Sequence, residues 1–137
     1  MKRYFALAII LSALTSFAVS QEQEQKQAEA SAQTWLGLID KGDYNGSWKE
    51  AASMFKSAVP QEKWSELVGT SRGRFGKLIS RKLKSAQYTT TLPGAPDGKY
   101  VVIQYETSFE NKKSAVETIT PMLDKDAQWR VSGYFIR

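Results

Sequence analysis

Apolar residues in the first half of the chain recur at the spacing of a helix. One stripe predicts a helix over residues 25–41 and a second, opened by Asp43 as N-cap, predicts a helix from Tyr44 to Phe55. A third helix is expected to begin at Pro60 and to end by Gly73. The first stripe consists of Ala28, Ala32, Trp35, Leu36 and Ile39. About three helices are therefore predicted before residue 75.

The second half of the chain changes to a period of two. From Val101 to Phe109, every second residue is expected to be buried, and the residues between them, beginning with Tyr100, are expected to be wetter. Turn-rich segments separate strands predicted at residues 83–91, 100–109, 114–123 and 128–136. Helices followed by hairpin-connected strands indicate an α+β fold, with the helices on one face of a curved four-stranded antiparallel sheet.

The N-terminus has the pattern of an export signal. Lys2 and Arg3 precede an apolar run from Tyr4 to Leu14, and the small residues Ala18 and Ser20 fit signal-peptidase cleavage after Ser20. A membrane anchor is the alternative, for which the apolar run is short. We expect a signal peptide over residues 1–20, a polar leader over 21–27 and a single domain over 28–137, located in the periplasm or secreted. Removal of Lys2 and Arg3 would lower the net charge from +5 to +3.

The composition excludes several kinds of chemistry. The chain has no Cys and no His, so disulfides, thiolate or imidazole metal sites, cysteine nucleophiles and Ser-His-Asp triads are impossible. The sequence also lacks a Gly-rich phosphate loop and paired-carboxylate spacing. We therefore assign no catalytic residue and expect neither a cofactor nor a metal.

The segment from Arg72 to Lys84 is strongly basic, and no acidic residue occurs between Glu66 and Asp97. Such a segment can make a weak contact with an anionic surface or ligand. Alternatively, it is the cationic end of a helix followed by an edge strand that lysines protect. Nucleic acid is not an expected partner, because one Arg-Gly-Arg stretch in an exported protein is weak support for it.

Arg72 and Arg81 have two open interpretations. Each guanidinium can form an internal ion pair with a carboxylate, for which the candidates are Asp40, Glu106 and Glu117. If the pair faces a pocket, the same donors can hold an anionic ligand.

The aromatic residues could line a pocket, although such side chains more often fill a hydrophobic core. A cofactor-free isomerase or hydratase is the enzymatic alternative, with Glu117 or Asp40 as base and Tyr105 or Tyr134 as proton donor. The candidate contacts for a pocket or ligand are Trp48, Arg72, Arg81, Tyr105 and Glu117.

Several spaced motifs together resemble one protein family. They are Trp35-Leu36, Asp40-Lys41-Gly42-Asp43-Tyr44, Ser47-Trp48, Trp64, Arg72, Gly76, Ser80-Arg81, residues 92–100, Ser108-Phe109, Glu117 and residues 129–134. This pattern resembles the bacterial "domain of unknown function 4019" family, which implies a small exported domain without an assigned activity. The order of elements is also similar to the cone of nuclear-transport-factor-2-like folds, in which helices and a bent sheet enclose a pocket.

These observations predict an exported bacterial protein that binds a small ligand or an envelope protein without catalysis. The alternatives are the isomerase-like enzyme and electrostatic association with an anionic envelope surface. No integral membrane span is expected in the mature protein.

Overall fold

The computed structural model describes the backbone of residues 2–137 and the side chains from Ser20 onward. Within these residues, four helices precede four strands. The helices are α1 (Lys2–Asp40), α2 (Tyr44–Glu50), α3 (Ser53–Ala58) and α4 (Gln61–Phe75), and the strands are β1 (Leu78–Thr89), β2 (Tyr100–Phe109), β3 (Lys112–Leu123) and β4 (Trp129–Ile136). The strands form an antiparallel sheet in the order β1-β2-β3-β4. The predicted α+β class is confirmed.

Export signal and domain limits stay predictions. Met1 lies outside the described residues, and so do the side chains of residues 1–19. Over the part of the chain that is described, no helix has both the length and the apolar character needed to cross a membrane.

Helix α1 packs its apolar stripe against the inner face of the sheet. Ala28, Ala32, Trp35, Leu36 and Ile39 are all buried, as the helical spacing predicted. The helix begins before the predicted Gln25 and ends at Asp40, after which Gly42 adopts a left-handed φ of 80°. This end places the Asp40 carboxylate beside the sheet.

The helix predicted from Tyr44 to Phe55 is broken into α2 and α3. Asp43 caps α2 as predicted, because its carboxylate accepts the N–H of Gly46 at 2.9 Å. Ala51 and Ala52 then take extended backbone conformations. The reason is tertiary, since the N–H of Ala52 donates to the carbonyl of Val131 on β4 at 2.8 Å. A sheet edge has replaced a helical hydrogen bond.

Strand β2 shows the predicted alternation, with one correction. Tyr100, expected on the wetter side, is fully buried. The turn before β2 covers it, and its hydroxyl donates to the carbonyl of Pro96 at 2.6 Å. Strand β1 begins at Leu78 instead of Leu83, and it carries bulges at Ile79 and Lys84.

Aromatic rings fill the space between the helices and the sheet. Trp64 lies between Trp35 and Phe55, with ring centroids 5.9 and 4.9 Å away. Ser47 is buried among them, where its hydroxyl accepts the indole N–H of Trp64 at 2.9 Å and its carbonyl accepts that of Trp35 at 2.8 Å. These bonds satisfy indole donors that burial would otherwise leave unpaired, and they fix α1, α2 and α4 relative to one another.

Candidate functional site

Four of the five predicted site residues lie around one charged cluster. We define the charged cluster as Asp40, Arg72, Arg81 and Glu117. Tyr105 lies directly opposite Glu117 across the β2–β3 pair. The fifth residue, Trp48, lies outside it and donates its indole N–H to the carbonyl of Val59 at 2.7 Å. Whether any of the five binds a ligand stays a prediction.

Arg81 is the centre of the charged cluster. Its position on β1, opposite Thr107 on β2, turns the guanidinium toward the inner face of the sheet. Nε and Nη2 donate to the two carboxylate oxygens of Glu117 at 2.6 and 3.1 Å. Nη1 and Nη2 donate to Asp40 at 2.8 and 3.0 Å. One planar guanidinium thus joins the end of α1 to β3 through two forked contacts.

Glu117 is closed off from solvent. Its side chain is 0% exposed, and besides Arg81 it accepts the hydroxyls of Thr107, at 2.6 Å, and Tyr134. Each oxygen of this carboxylate thus accepts two hydrogen bonds from protein groups. A buried carboxylate needs such compensation, because transfer of a charge out of water is costly without it.

Arg72 completes the cluster from the last turn of α4. Its Nη1 donates to Asp40 at 2.9 Å, and its guanidinium carbon lies 4.8 Å from the centre of the Phe109 ring. Its Nε is buried and has no hydrogen-bond partner among the described residues. Of the three predicted carboxylate partners, Asp40 and Glu117 are found, whereas Glu106 is exposed on the opposite face of β2.

The pKa values of Asp40, a member of the charged cluster, and of Tyr134, which bonds to the cluster, are shifted in opposite directions. Burial raises the pKa of Asp40, but hydrogen bonds and charge from Arg81 and Arg72 outweigh it, so the net pKa is lowered. Burial, followed by the negative charge of Glu117, raises the pKa of Tyr134 well above its usual value. At neutral pH, Asp40 is therefore ionised and Tyr134 is a neutral donor.

Tyr105 lies next to this cluster but is not bonded to it. Its hydroxyl is buried and has no hydrogen-bond partner within residues 20–137. Burial, together with the charge of Glu29 on α1, raises its pKa. The phenol is thus a neutral group at neutral pH, and it belongs to the core by its packing.

A cleft on the described surface lies away from the charged cluster. It has a volume of about 730 Å³ and lies between α1 and the turn that joins β3 to β4. Its lining includes Thr34, Trp35, Gln128, Trp129 and Arg130, and it includes no member of the charged cluster. We call it the α1 cleft. Sequence patterns did not point to it, because its walls come from segments about a hundred residues apart.

No metal site is evident in the described part of the chain. Among residues 20–137, no three Asp or Glu side chains converge so as to hold a metal ion. Asp124 instead accepts the N–H and hydroxyl of Ser53, both at 2.9 Å, and Asp126 pairs with Arg130 at 2.6 Å. These two carboxylates fix the β3–β4 turn against α3 and β4.

Thr107 is the member of this environment that sequence reasoning missed. Its place among the alternating inward residues of β2 was recognised, but its hydroxyl was not assigned a role. An inward Thr in line with Tyr105 and Phe109 is the signal that a buried acceptor lies nearby, because a buried hydroxyl needs a partner.

Comparisons with known proteins agree with the pattern of motifs. The family model described as "Protein of unknown function (DUF4019)" matches residues 31–134, a range that contains the whole charged cluster. No curated protein matches the chain. The similarity to nuclear-transport-factor-2-like folds stays a prediction.

Proposed function

The chain belongs to the DUF4019 family of proteins of unknown function, and we propose that it is an exported, non-catalytic binding domain. The bound molecule is a small ligand or a segment of an envelope protein, and the α1 cleft is its site. The single observation that carries this proposal is the internal neutralisation of both candidate catalytic carboxylates.

A catalytic base must reach its substrate and must accept a proton at the working pH. Glu117 is completely buried and is surrounded by donors from Arg81, Thr107 and Tyr134. Asp40 is 22% exposed, but its lowered pKa makes it a weak base. The isomerase alternative required a reachable carboxylate beside a tyrosine, and this arrangement does not favour it.

The α1 cleft has the mixed lining of a binding site. Thr34 and Gln128 are exposed at its wall, and the largely buried Trp35 and Trp129 also line it. Arg130 adds a cation that is shared with Asp126 and Glu50. Such a surface suits a ligand with hydrogen-bonding groups around an apolar body.

Native mass spectrometry of the protein recovered from the cell envelope tests this proposal. The intact mass should correspond to a chain that begins at Gln21, which would report export and cleavage. Incubation with envelope extract and a library of small molecules should then yield a retained adduct. Retention of nothing by the natural protein, or an unprocessed mass confined to the cytoplasm, would contradict the proposal.

A matched pair of variants locates the site. Thr34 lines the α1 cleft, whereas Gln33 is exposed on the same helix outside it. Thr34→Trp should fill the cleft and remove the adduct, and Gln33→Trp should retain it. Equal retention of the adduct by both variants would show that it does not bind in the α1 cleft.

A further inference from the structure

A second surface is formed by unpaired cations at one end of the sheet. In the turn between β2 and β3, Asn111 donates its N–H to the carbonyl of Phe75 at 2.8 Å, and Glu110 donates its N–H to the carbonyl of Lys77 at 2.8 Å. These bonds hold the β2–β3 turn against the link between α4 and β1. We define the basic tip as Arg74, Lys77, Lys112 and Lys113, which this arrangement gathers around the turn.

One cation of the basic tip contacts an aromatic ring, since the Lys112 ammonium lies 5.8 Å from the centre of the Phe75 ring. Within the part of the chain that the structure describes, none of the four lies in an ion pair with a carboxylate. Glu110 is the acidic residue of the turn, so positive charge is in excess there. Arg72 and Arg81 are paired with carboxylates in the charged cluster. The basic tip therefore differs from the basic segment, Arg72 to Lys84, that the sequence suggested. Lys112 and Lys113 come from a different strand.

An exposed aliphatic side chain follows Lys77 closely in the sequence. Ile79 is 64% exposed, and it is the extra residue of a β1 bulge between Leu78 and Ser80. Arg74 lines a shallow cleft on α4 together with Leu67 and Phe75. Lys77 and Lys113 are exposed at the surface, as is Ile79.

We propose that the basic tip docks on an anionic phospholipid bilayer, with Ile79 entering the interface and the lysines contacting headgroup phosphates. Cations near an anionic membrane each contribute to binding, and a neighbouring apolar side chain adds burial in the interface. Three of the four cations are lysines, whose flexible point charges suit a broad anionic surface, whereas a single small anion is better held by the planar fork of a guanidinium.

The position of α1 leaves this end of the molecule accessible. Glu24 of α1 pairs with Lys99 at 2.6 Å, at the start of β2, whereas the basic tip is at the opposite end of that strand. A chain that begins at Gln21 therefore has its N-terminus away from the docking surface. The proposal goes beyond binding at the α1 cleft and is independent of it.

Vesicle sedimentation tests the docking surface with two variants of equal charge. Lys77→Gln/Lys112→Gln/Lys113→Gln removes three cations from the basic tip, and Lys49→Gln/Lys63→Gln/Lys125→Gln removes three exposed cations from other surfaces. The natural protein should bind vesicles of phosphatidylglycerol and phosphatidylcholine in equal parts, and only weakly those of phosphatidylcholine alone. The tip variant should lose about a hundredfold in affinity, because it removes three cations and each interfacial cation contributes about fivefold. The control variant should lose much less.

Additional arms separate the proposal from its competitors. Ile79→Ser should lower affinity by about threefold or more, and added salt should weaken binding by the natural protein. Thr34→Trp should leave vesicle binding unchanged, which distinguishes this test from that of the α1 cleft. Circular dichroism should show the same fold for all variants. Equal losses in the two triple variants, or binding to an acidic polypeptide but not to the vesicles, would overturn the proposal.

Discussion

Arg81 and Lys82 are neighbours in β1, yet they lie in opposite environments. Arg81 is 14% exposed and makes four hydrogen bonds to the carboxylates of Asp40 and Glu117. Lys82 is exposed on the other face of the strand, opposite Glu106, and forms no ion pair with the described residues. The difference teaches that charge density in the sequence does not define a binding surface. The alternation of the strand assigns each cation to the interior or to solvent.

The largest difference in stability should appear when Arg81 and Lys82 are each replaced, in separate variants, by methionine. Arg81→Met leaves Glu117 buried without its cationic partner, so the free energy of unfolding should fall by about 3–5 kcal/mol. Lys82→Met should change it by no more than about 0.5 kcal/mol. Urea denaturation followed by tryptophan fluorescence measures both. Similar losses in the two variants would remove the distinction between internal and external cations.

A smaller effect should separate two buried tyrosines at the same site. Tyr134 donates to the Glu117 carboxylate, whereas the hydroxyl of Tyr105 has no partner within the described chain. Tyr134→Phe should destabilise the fold by about 1–3 kcal/mol, because it removes a hydrogen bond to a buried charge. Tyr105→Phe should be neutral or stabilising, because it removes an unsatisfied polar group. The same denaturation experiment checks the pair, and a larger loss for Tyr105→Phe would contradict it.

The smallest effect concerns pH. The folded protein lowers the pKa of Asp40, so the unfolded chain binds a proton on this residue more readily. The stability that Asp40 contributes is therefore present at neutral pH and is lost as the pH falls below its unfolded value of 3.8 and through the lower folded one. Asp40→Asn should flatten the acid side of a plot of unfolding free energy against pH. Asp97→Asn, at an exposed turn position, should leave that slope unchanged, and identical slopes in both variants would exclude this role for Asp40.

Local periodicity was sufficient for the elements whose partners are apolar. The stripe from Ala28 to Ile39 and the alternating inward residues from Val101 to Phe109 are buried as expected. The spacing of apolar residues alone is enough to show which face of such an element is buried. The break at Ala52 was not predictable in this way, since it depends on a hydrogen bond to Val131, far away in sequence. Tyr100 was placed on the wetter side because nothing local shows that the preceding turn folds back over it.

The residues of the candidate site were predictable from the sequence, but their pairing with one another inside the protein was not. Arg72, Arg81, Asp40 and Glu117 were recognised as possible ion partners, since a buried charge needs compensation. Whether they enclose each other or face a ligand depends on the register of β1 with β2, which two bulges set. The start of β1 was missed for a related reason: inward-facing Arg81 is polar, so it breaks the apolar alternation that marks a strand.

The break between α2 and α3 also bears on the tendency of the protein to aggregate. An open strand edge is a template on which other chains can aggregate. On β4, the carbonyls of Trp129 and Val131 are already occupied, by the hydroxyl of Ser31 at 2.6 Å and by the N–H of Ala52. At the far side of the sheet, bulges and lysines interrupt the edge of β1. The lost helical turn at Ala52 thus covers the start of the outer edge of β4, which leaves fewer free backbone groups there for another chain to pair with.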